Sequence, residues 1–80
     1  MNVTVLLFAS YADAVGRSSL EMALPPGSTV ADALSRVARL PGADRVPPRP
    51  LVAVNERYAS LDQALAPGDE LALIPPVAGG

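Results

Sequence analysis

The 80 residues contain no cysteine and no histidine. Without cysteine there is no disulfide, no thiolate nucleophile and no zinc–thiolate site; without histidine the commonest metal ligand and the side chain that titrates near neutral pH are gone too. Ser-His-Asp and Cys-His arrangements are thereby excluded, so neither acid–base or nucleophilic chemistry by the chain's own side chains nor a bound metal is expected. Lysine is also missing: the six basic residues are all Arg, set against eight acidic ones for a formal charge of −2. A mildly acidic chain without a basic cluster is a poor partner for nucleic acid, since neutralising phosphates takes several converging cations. No apolar run approaches the roughly 20 residues of a membrane span. The N-terminus has neither the basic flank nor the small-residue cleavage site of a signal peptide, so a cytoplasmic chain with no membrane partner is expected.

What is present is aliphatic. Half of the residues are hydrophobic, but these are mostly Ala (14), Leu (11) and Val (9), with one Phe, two Tyr and no Trp. A chain of this length is one domain that buries only about 60–65% of its unfolded surface, which leaves no room for a large cleft.

The first strand is predicted over Asn2–Ala9, with Val3, Val5 and Leu7 forming its uniformly apolar face and Phe8 turned toward solvent or a partner. A short segment from Ser10 to Val15 ends at Gly16. Ser19–Leu24 then alternates with Leu20, Met22 and Leu24 inward, a second strand paired to the first as a hairpin. Thr29 and Asp32 have the spacing of an N-cap with a carboxylate in the first turn, and a helix is expected to run from there to about Leu40, burying Val30, Leu34, Val37 and either Ala33 or Leu40. Pro41 and Gly42 stop it, and Ala43–Pro50 reads as an extended proline-rich surface loop. Leu51–Asn55 is a short strand of undecided parity, with Asn55 at a turn that tolerates positive φ. Tyr58–Ala59 is a brief return strand and Leu61–Leu65 a single helical turn. Pro67-Gly68-Asp69 signals a turn before a last strand, Glu70–Ile74, with Leu71 and Leu73 inward. Tyr11 and Tyr58 are read as packing residues, Asp69 and Glu70 as serving the turn, and the dispersed arginines as solvated.

This order places one main helix on one face of a mixed sheet and leaves the first and last strands to pair in parallel at its centre. It is the α+β arrangement of the β-grasp, or ubiquitin-like, fold. The domain is expected over residues 1–76, with a flexible tail over residues 77–80. If the two central strands are neighbours, Phe8 and Ile74 share the face away from the helix and form an exposed apolar patch beside that tail, with scattered surface hydrophobes as the alternative.

Two glycines after a proline-stopped strand have no packing to contribute, and ordering them is entropically costly. They are either a frayed end or a slim thread that carries the α-carboxylate of Gly80 into another protein's catalytic centre. A carboxylate is a poor electrophile until an oxygen is replaced by a better leaving group, so the second reading implies ATP-dependent activation by a partner.

The sequence resembles the MoaD group of the MoaD/ThiS ubiquitin-like sulfur carriers, the small subunits of molybdopterin synthases. The resemblance spans the chain: Phe8-Ala9, Val15-Gly16, Pro26-Gly27-Ser28-Thr29-Val30, Val54-Asn55, Pro67-Gly68-Asp69-Glu70 and, most specifically, Pro75-Pro76-Val77-Ala78-Gly79-Gly80. It departs at Ala78, where the family often has Ser or Thr, and at Ala12-Asp13, where Arg-Glu is common. The resemblance implies that an E1-like enzyme adenylates Gly80 with ATP and that a sulfur donor converts it to a thiocarboxylate. It further implies that the tail, Pro76, Val77, Ala78 and Gly79, inserts into the large catalytic subunit; the partner-binding residues Phe8, Ile74 and Pro75 are expected from the exposed patch beside that tail. This chain would itself bind no cofactor, and its catalytic status as a sulfur-donating subunit is left open. A carrier for thiamine synthesis or tRNA thiolation, a ubiquitin-like protein modifier and a plain interaction module remain as alternatives.

Overall fold

The computed structural model describes residues 1–76. The chain runs β1 (Asn2–Leu7), α1 (Ala9–Val15), β2 (Ser19–Ala23), α2 (Val30–Val37), a 3-10 turn (Ala43–Arg45), β3 (Leu51–Val54), β4 (Arg57–Tyr58) and β5 (Glu70–Ile74). The strands form one five-stranded sheet in the order β2-β1-β5-β3-β4. β1 and β5 are parallel, from Thr4 beside Glu70 to Leu7 beside Leu73, and the other pairings are antiparallel. The chain has the ubiquitin-like β-grasp fold. Val3, Val5 and Leu7 of β1, Leu71 and Leu73 of β5 and Val52 and Val54 of β3 pack in one core with Val30, Ala33, Leu34 and Val37 of α2. Period-two alternation in the strands thus meets the three- and four-residue spacing of one helix face.

α2 begins as its sequence predicts. The Thr29 hydroxyl accepts from the Asp32 N–H at 3.3 Å, and the Asp32 carboxylate accepts from the Thr29 N–H at 2.9 Å, a reciprocal cap. The helix ends at Val37 rather than Leu40. Pro41 disfavours helical backbone at the residue before it, and the chain tightens, with the Leu40 N–H donating to the Val37 carbonyl at 3.0 Å.

Further expectations are corrected. β1 stops at Leu7, because Ala9 turns into α1, which occupies the segment left unassigned before Gly16. Three alanines favour that helix, Tyr11 is its buried residue, and the Gly16 N–H closes it on the Ala12 carbonyl at 2.7 Å. β1 and β2 therefore pair antiparallel but are joined through a helix, and a second helix accompanies the main one. Leu61–Leu65 does not go on as helix: it makes one turn, the Gln63 N–H donating to the Ser60 carbonyl at 3.2 Å, and then bridges Thr29 at Ala64, while the carbonyls of Leu61 and Gln63 accept the N–H groups of Ala31 and Val30 at 2.8 and 3.0 Å. Those are two of the donors that a helix N-terminus leaves unpaired, so this segment completes the start of α2. The return strand is Arg57–Tyr58, and Tyr58 is exposed rather than packed. Arg36 is exposed, as expected of a solvated arginine, and its guanidinium also donates to the Ala23 carbonyl at 3.1 Å.

The β3–β4 connection is a two-residue turn with positive φ at both Asn55 and Glu56, the geometry that suits the right-handed twist of a hairpin. The Asn55 side chain extends the link to β5, donating to Asp69 at 2.9 Å and accepting from the Glu70 N–H at 3.0 Å.

Gly42 and Gly27 both have φ near +85°, but a Cβ at Gly42 would overlap the Ala14 carbonyl oxygen of α1, whereas nothing lies within 4 Å of one at Gly27. Gly27→Ala is expected to cost only the backbone strain, about 1 kcal/mol. Gly42→Ala is expected to cost about 2 kcal/mol or more, because α1 must also move. Urea unfolding of the two variants checks this; equal losses would mean that α1 yields freely.

Candidate functional site

On the face of the sheet away from α2, register decides which side chains meet. One row crosses all five strands: Tyr58 opposite Ala53, Ala53 opposite Ala72, Ala72 level with Leu6, and Leu6 opposite Ser19. In the next row toward the end of β5, Leu51 is opposite Ile74. Leu7 is level with Leu73, and Phe8 is still extended at φ −114°, ψ 152°, so strand alternation continues one residue past β1 and places Phe8 level with Ile74. Phe8, Leu51 and Tyr58 are exposed by 47%, 50% and 76% and are the exposed large hydrophobics among the described residues. Ile74 is half-buried among these rows, and the small side chains of Ala53 and Ala72 give the patch a low floor.

The other end of this face is polar. Glu70, Thr4 and Glu21 lie in one row, and the Thr4 hydroxyl donates to the Glu21 carboxylate at 2.7 Å. The open face is therefore graded, acidic where β5 begins and apolar where it ends. Pro75, half-buried, and Pro76, exposed, follow directly; neither has an N–H with which to continue a ladder. The register thus brings Phe8 and Ile74 together at one end of one face, with Pro75 next in the chain after Ile74, while the tail residues Val77, Ala78, Gly79 and Gly80 lie outside the described residues.

Leu51 and Tyr58 were not foreseen as part of this patch. The signal for Tyr58 was present: a two-residue turn at Asn55-Glu56 pairs Val54 with Arg57 and Ala53 with Tyr58, so a residue opposite Ala53 must face away from the core once Val54 faces into it. What was missing was the parity of β3, where every residue is apolar.

A shallow cleft of about 430 Å³ lies at the start of α2, between Leu24–Ser28 and Asp32, Ser35 and Arg36. Its charged groups are engaged: Asp32 in the helix cap, Arg36 with the Ala23 carbonyl, and the first helical N–H groups with the loop after β4. It therefore offers little free polar chemistry to a ligand. The Asp62 carboxyl is held below its usual range, chiefly by the Ser60 hydroxyl that donates to it at 2.6 Å; both lie in the β4–β5 connection. No group of acidic residues among those described is arranged to hold a metal ion.

A sequence profile of the ThiS family matches residues 5–80. The chain is 35% identical over 81 residues to the molybdopterin synthase sulfur carrier subunit of Arabidopsis thaliana, covering 100% of this chain and 84% of that protein. Among solved structures it is similar to SAMP1 from Haloferax volcanii, with a TM-score of 0.88, 32% identity and 100% coverage of both chains. In fold it also matches a chain in the complex of subunits 1 and 2 of the molybdopterin-converting factor from Helicobacter pylori. That match has a TM-score of 0.76, 21% identity and 100% coverage of both chains.

The geometry separates exposed from core positions in a way that stability measurements can read. Phe8→Ala and Tyr58→Ala are each expected to lower unfolding free energy by less than about 1 kcal/mol, and Leu73→Ala, at a position with 0% exposure, by about 2–5 kcal/mol. A Phe8→Ala loss as large as that of Leu73→Ala would show that Phe8 belongs to the core.

Proposed function

The chain belongs to the ThiS family, and from that premise we propose that it is the sulfur-carrier subunit of a molybdopterin synthase. The observation that carries this reading is full-length similarity to proteins named for that role, at 35% identity to the Arabidopsis thaliana protein and 37% to the Homo sapiens protein. The open face is consistent with it, because an apolar cluster stands where β5 hands over to the tail.

In this reading the Gly80 carboxylate attacks the α-phosphate of ATP on an E1-like enzyme, pyrophosphate leaves, and a sulfur donor displaces AMP to give a thiocarboxylate. The chain binds no cofactor itself; ATP belongs to the activating enzyme, which accords with a cytoplasmic carrier. No helix among the described residues is long and apolar enough to cross a membrane. Phe8, Leu51, Tyr58, Ile74 and Pro75 dock against the large subunit, and Pro76, Val77, Ala78 and Gly79 lead the thiocarboxylate to the pterin precursor. A large-subunit partner is supported by the Helicobacter pylori complex of subunits 1 and 2. Two charged carriers, used in turn, supply both sulfurs of the dithiolene. The acid–base groups come from the partners, in keeping with a chain that has no His, Cys or Lys.

Likeness to the small archaeal modifier protein 1 of Haloferax volcanii, at a TM-score of 0.84 and 34% identity, supports a second reading, in which Gly80 is joined to lysines of other proteins. With no lysine of its own, this chain would then be attached singly, never as a side-chain-linked polymer.

Intact mass of the chain purified from its host separates the two: one terminal oxygen replaced by sulfur supports the carrier, and adducts to other proteins support the modifier. Deleting Gly80 is expected to abolish molybdopterin formation in a reconstituted assay with no change in melting temperature; retained activity would overturn the mechanism. Phe8→Ala and Ile74→Asp are expected to weaken binding to the large subunit by about 2 kcal/mol or more. A knockout that loses molybdoenzyme activity while sparing thiamine and thiolated tRNA assigns the pathway, and the reverse pattern moves it to a sister carrier.

A further inference from the structure

Among the described residues other than glycine, left-handed φ occurs at Ala9, Asn55 and Glu56. Asn55 and Glu56 form the β3–β4 turn, which requires it. Ala9 lies in no such turn. Its φ of +45° is a region that crowding between Cβ and carbonyl makes unfavourable for an L-residue, and one that glycine enters freely. An outlier of this kind persists only where its surroundings over-determine it.

The surroundings are specific. Phe8, one residue before, is extended and still on the open face, whereas Tyr11, two residues after, is buried in the core. The chain must pass from strand to helix within one residue, and the Tyr11 N–H closes that corner on the Phe8 carbonyl at 3.0 Å. Glycine would make the same corner without strain, but without a methyl group it would widen the range of φ and ψ open to the joint within that corner. With alanine, burial of Tyr11 leaves the joint one conformation, and the direction of Phe8 follows from it.

We propose that Ala9 is a positioning residue for partner docking: its left-handed backbone, imposed by the burial of Tyr11, holds Phe8 on the open face beside Ile74. This rests on the reading that Phe8 docks against the large subunit. A side chain already held in its bound direction loses less freedom on association, so the stiffness of the joint serves affinity and the strain is its cost.

The test compares three chains made by total synthesis, carrying alanine, glycine or D-alanine at position 9, with Phe8→Ala as a fourth. Each is melted alone and titrated calorimetrically against the purified large subunit of molybdopterin synthase from the same organism. D-alanine prefers positive φ and retains the restriction of a methyl group, so it removes the strain and keeps the joint stiff. Ala9→Gly is expected to keep or raise Tm and to weaken Kd by about three- to tenfold. The D-alanine chain is expected to raise Tm and to hold Kd within about twofold of the parent. A glycine chain that binds within about twofold of the parent, while Phe8→Ala binds weakly, overturns the positioning role alone. A D-alanine chain as weak as the glycine chain also overturns it, because stiffness would then not be the cause. Unchanged binding by Phe8→Ala overturns the docking reading and the positioning role together.

Discussion

The parallel pairing of β1 with β5 is the constraint from which the rest of the structure follows. It brings the first and last strands of the chain together at the centre of the sheet, Thr4 beside Glu70 and Leu7 beside Leu73, so every intervening element has to fit around that pair. β2 takes the outer side of β1 and β3 the outer side of β5, while α2, on the crossover between the two halves, covers the one face that both central strands make apolar. The pairing also anchors the end of β5: Leu73 lies between Leu7 of β1 and Val52 of β3, and Ile74 is paired with Leu51 of β3.

The same constraint separates docking from packing. A small aliphatic core can be closed by one amphipathic helix, and α2 is itself completed by backbone groups of the loop after β4, which accept its first N–H donors. Among the described residues no layer covers the opposite face; there the register lines up Phe8, Ile74 and Leu51 at the end where β5 stops, and Glu70, Thr4 and Glu21 at the other. In the docking proposed above, the apolar end would meet the partner and the gradient across the sheet would set the orientation of the carrier.

Much of this was legible in the residues, for identifiable reasons. Val3, Val5 and Leu7 alternate with more polar neighbours, so parity fixed the inward face of β1, and Thr29 with Asp32 marked the start of α2 through a cap whose two hydrogen bonds need those side chains at that spacing. The parallel central pair followed from element order and the preference for short connections. α1 was not read because its seven residues are too few for a periodic pattern and its start is a single backbone reversal at Ala9, which no side chain announces. Tyr58 was misread because β4 has only two residues and its partner strand carries apolar side chains on both faces. The segment Leu61–Leu65 has local helix formers, but tertiary demand from the N-terminus of α2 overrides them. Of the site, the patch was half visible through Phe8 and Ile74, and the rest waited on a register that β3 could not declare by itself.

An exposed Phe, Leu and Tyr on the sheet of a small domain is also a hazard, since the carrier must spend time free between one partner and the next. Its sheet edges carry the countermeasures. β4 is two residues long and contributes Arg57, which keeps one edge too short and too polar to template another strand. At the other edge, Met1 and Leu24 exchange backbone hydrogen bonds of 2.8 and 2.7 Å, so by antiparallel alternation Ala23 and Glu21 turn their backbone groups outward. The Arg36 guanidinium occupies the Ala23 carbonyl at 3.1 Å, and Glu21 places a charge beside what remains. The apolar surface is thus confined to the middle of a sheet whose edges resist extension. A second sheet cannot readily add itself alongside, and the exposed patch is left to a partner whose surface fits it face on.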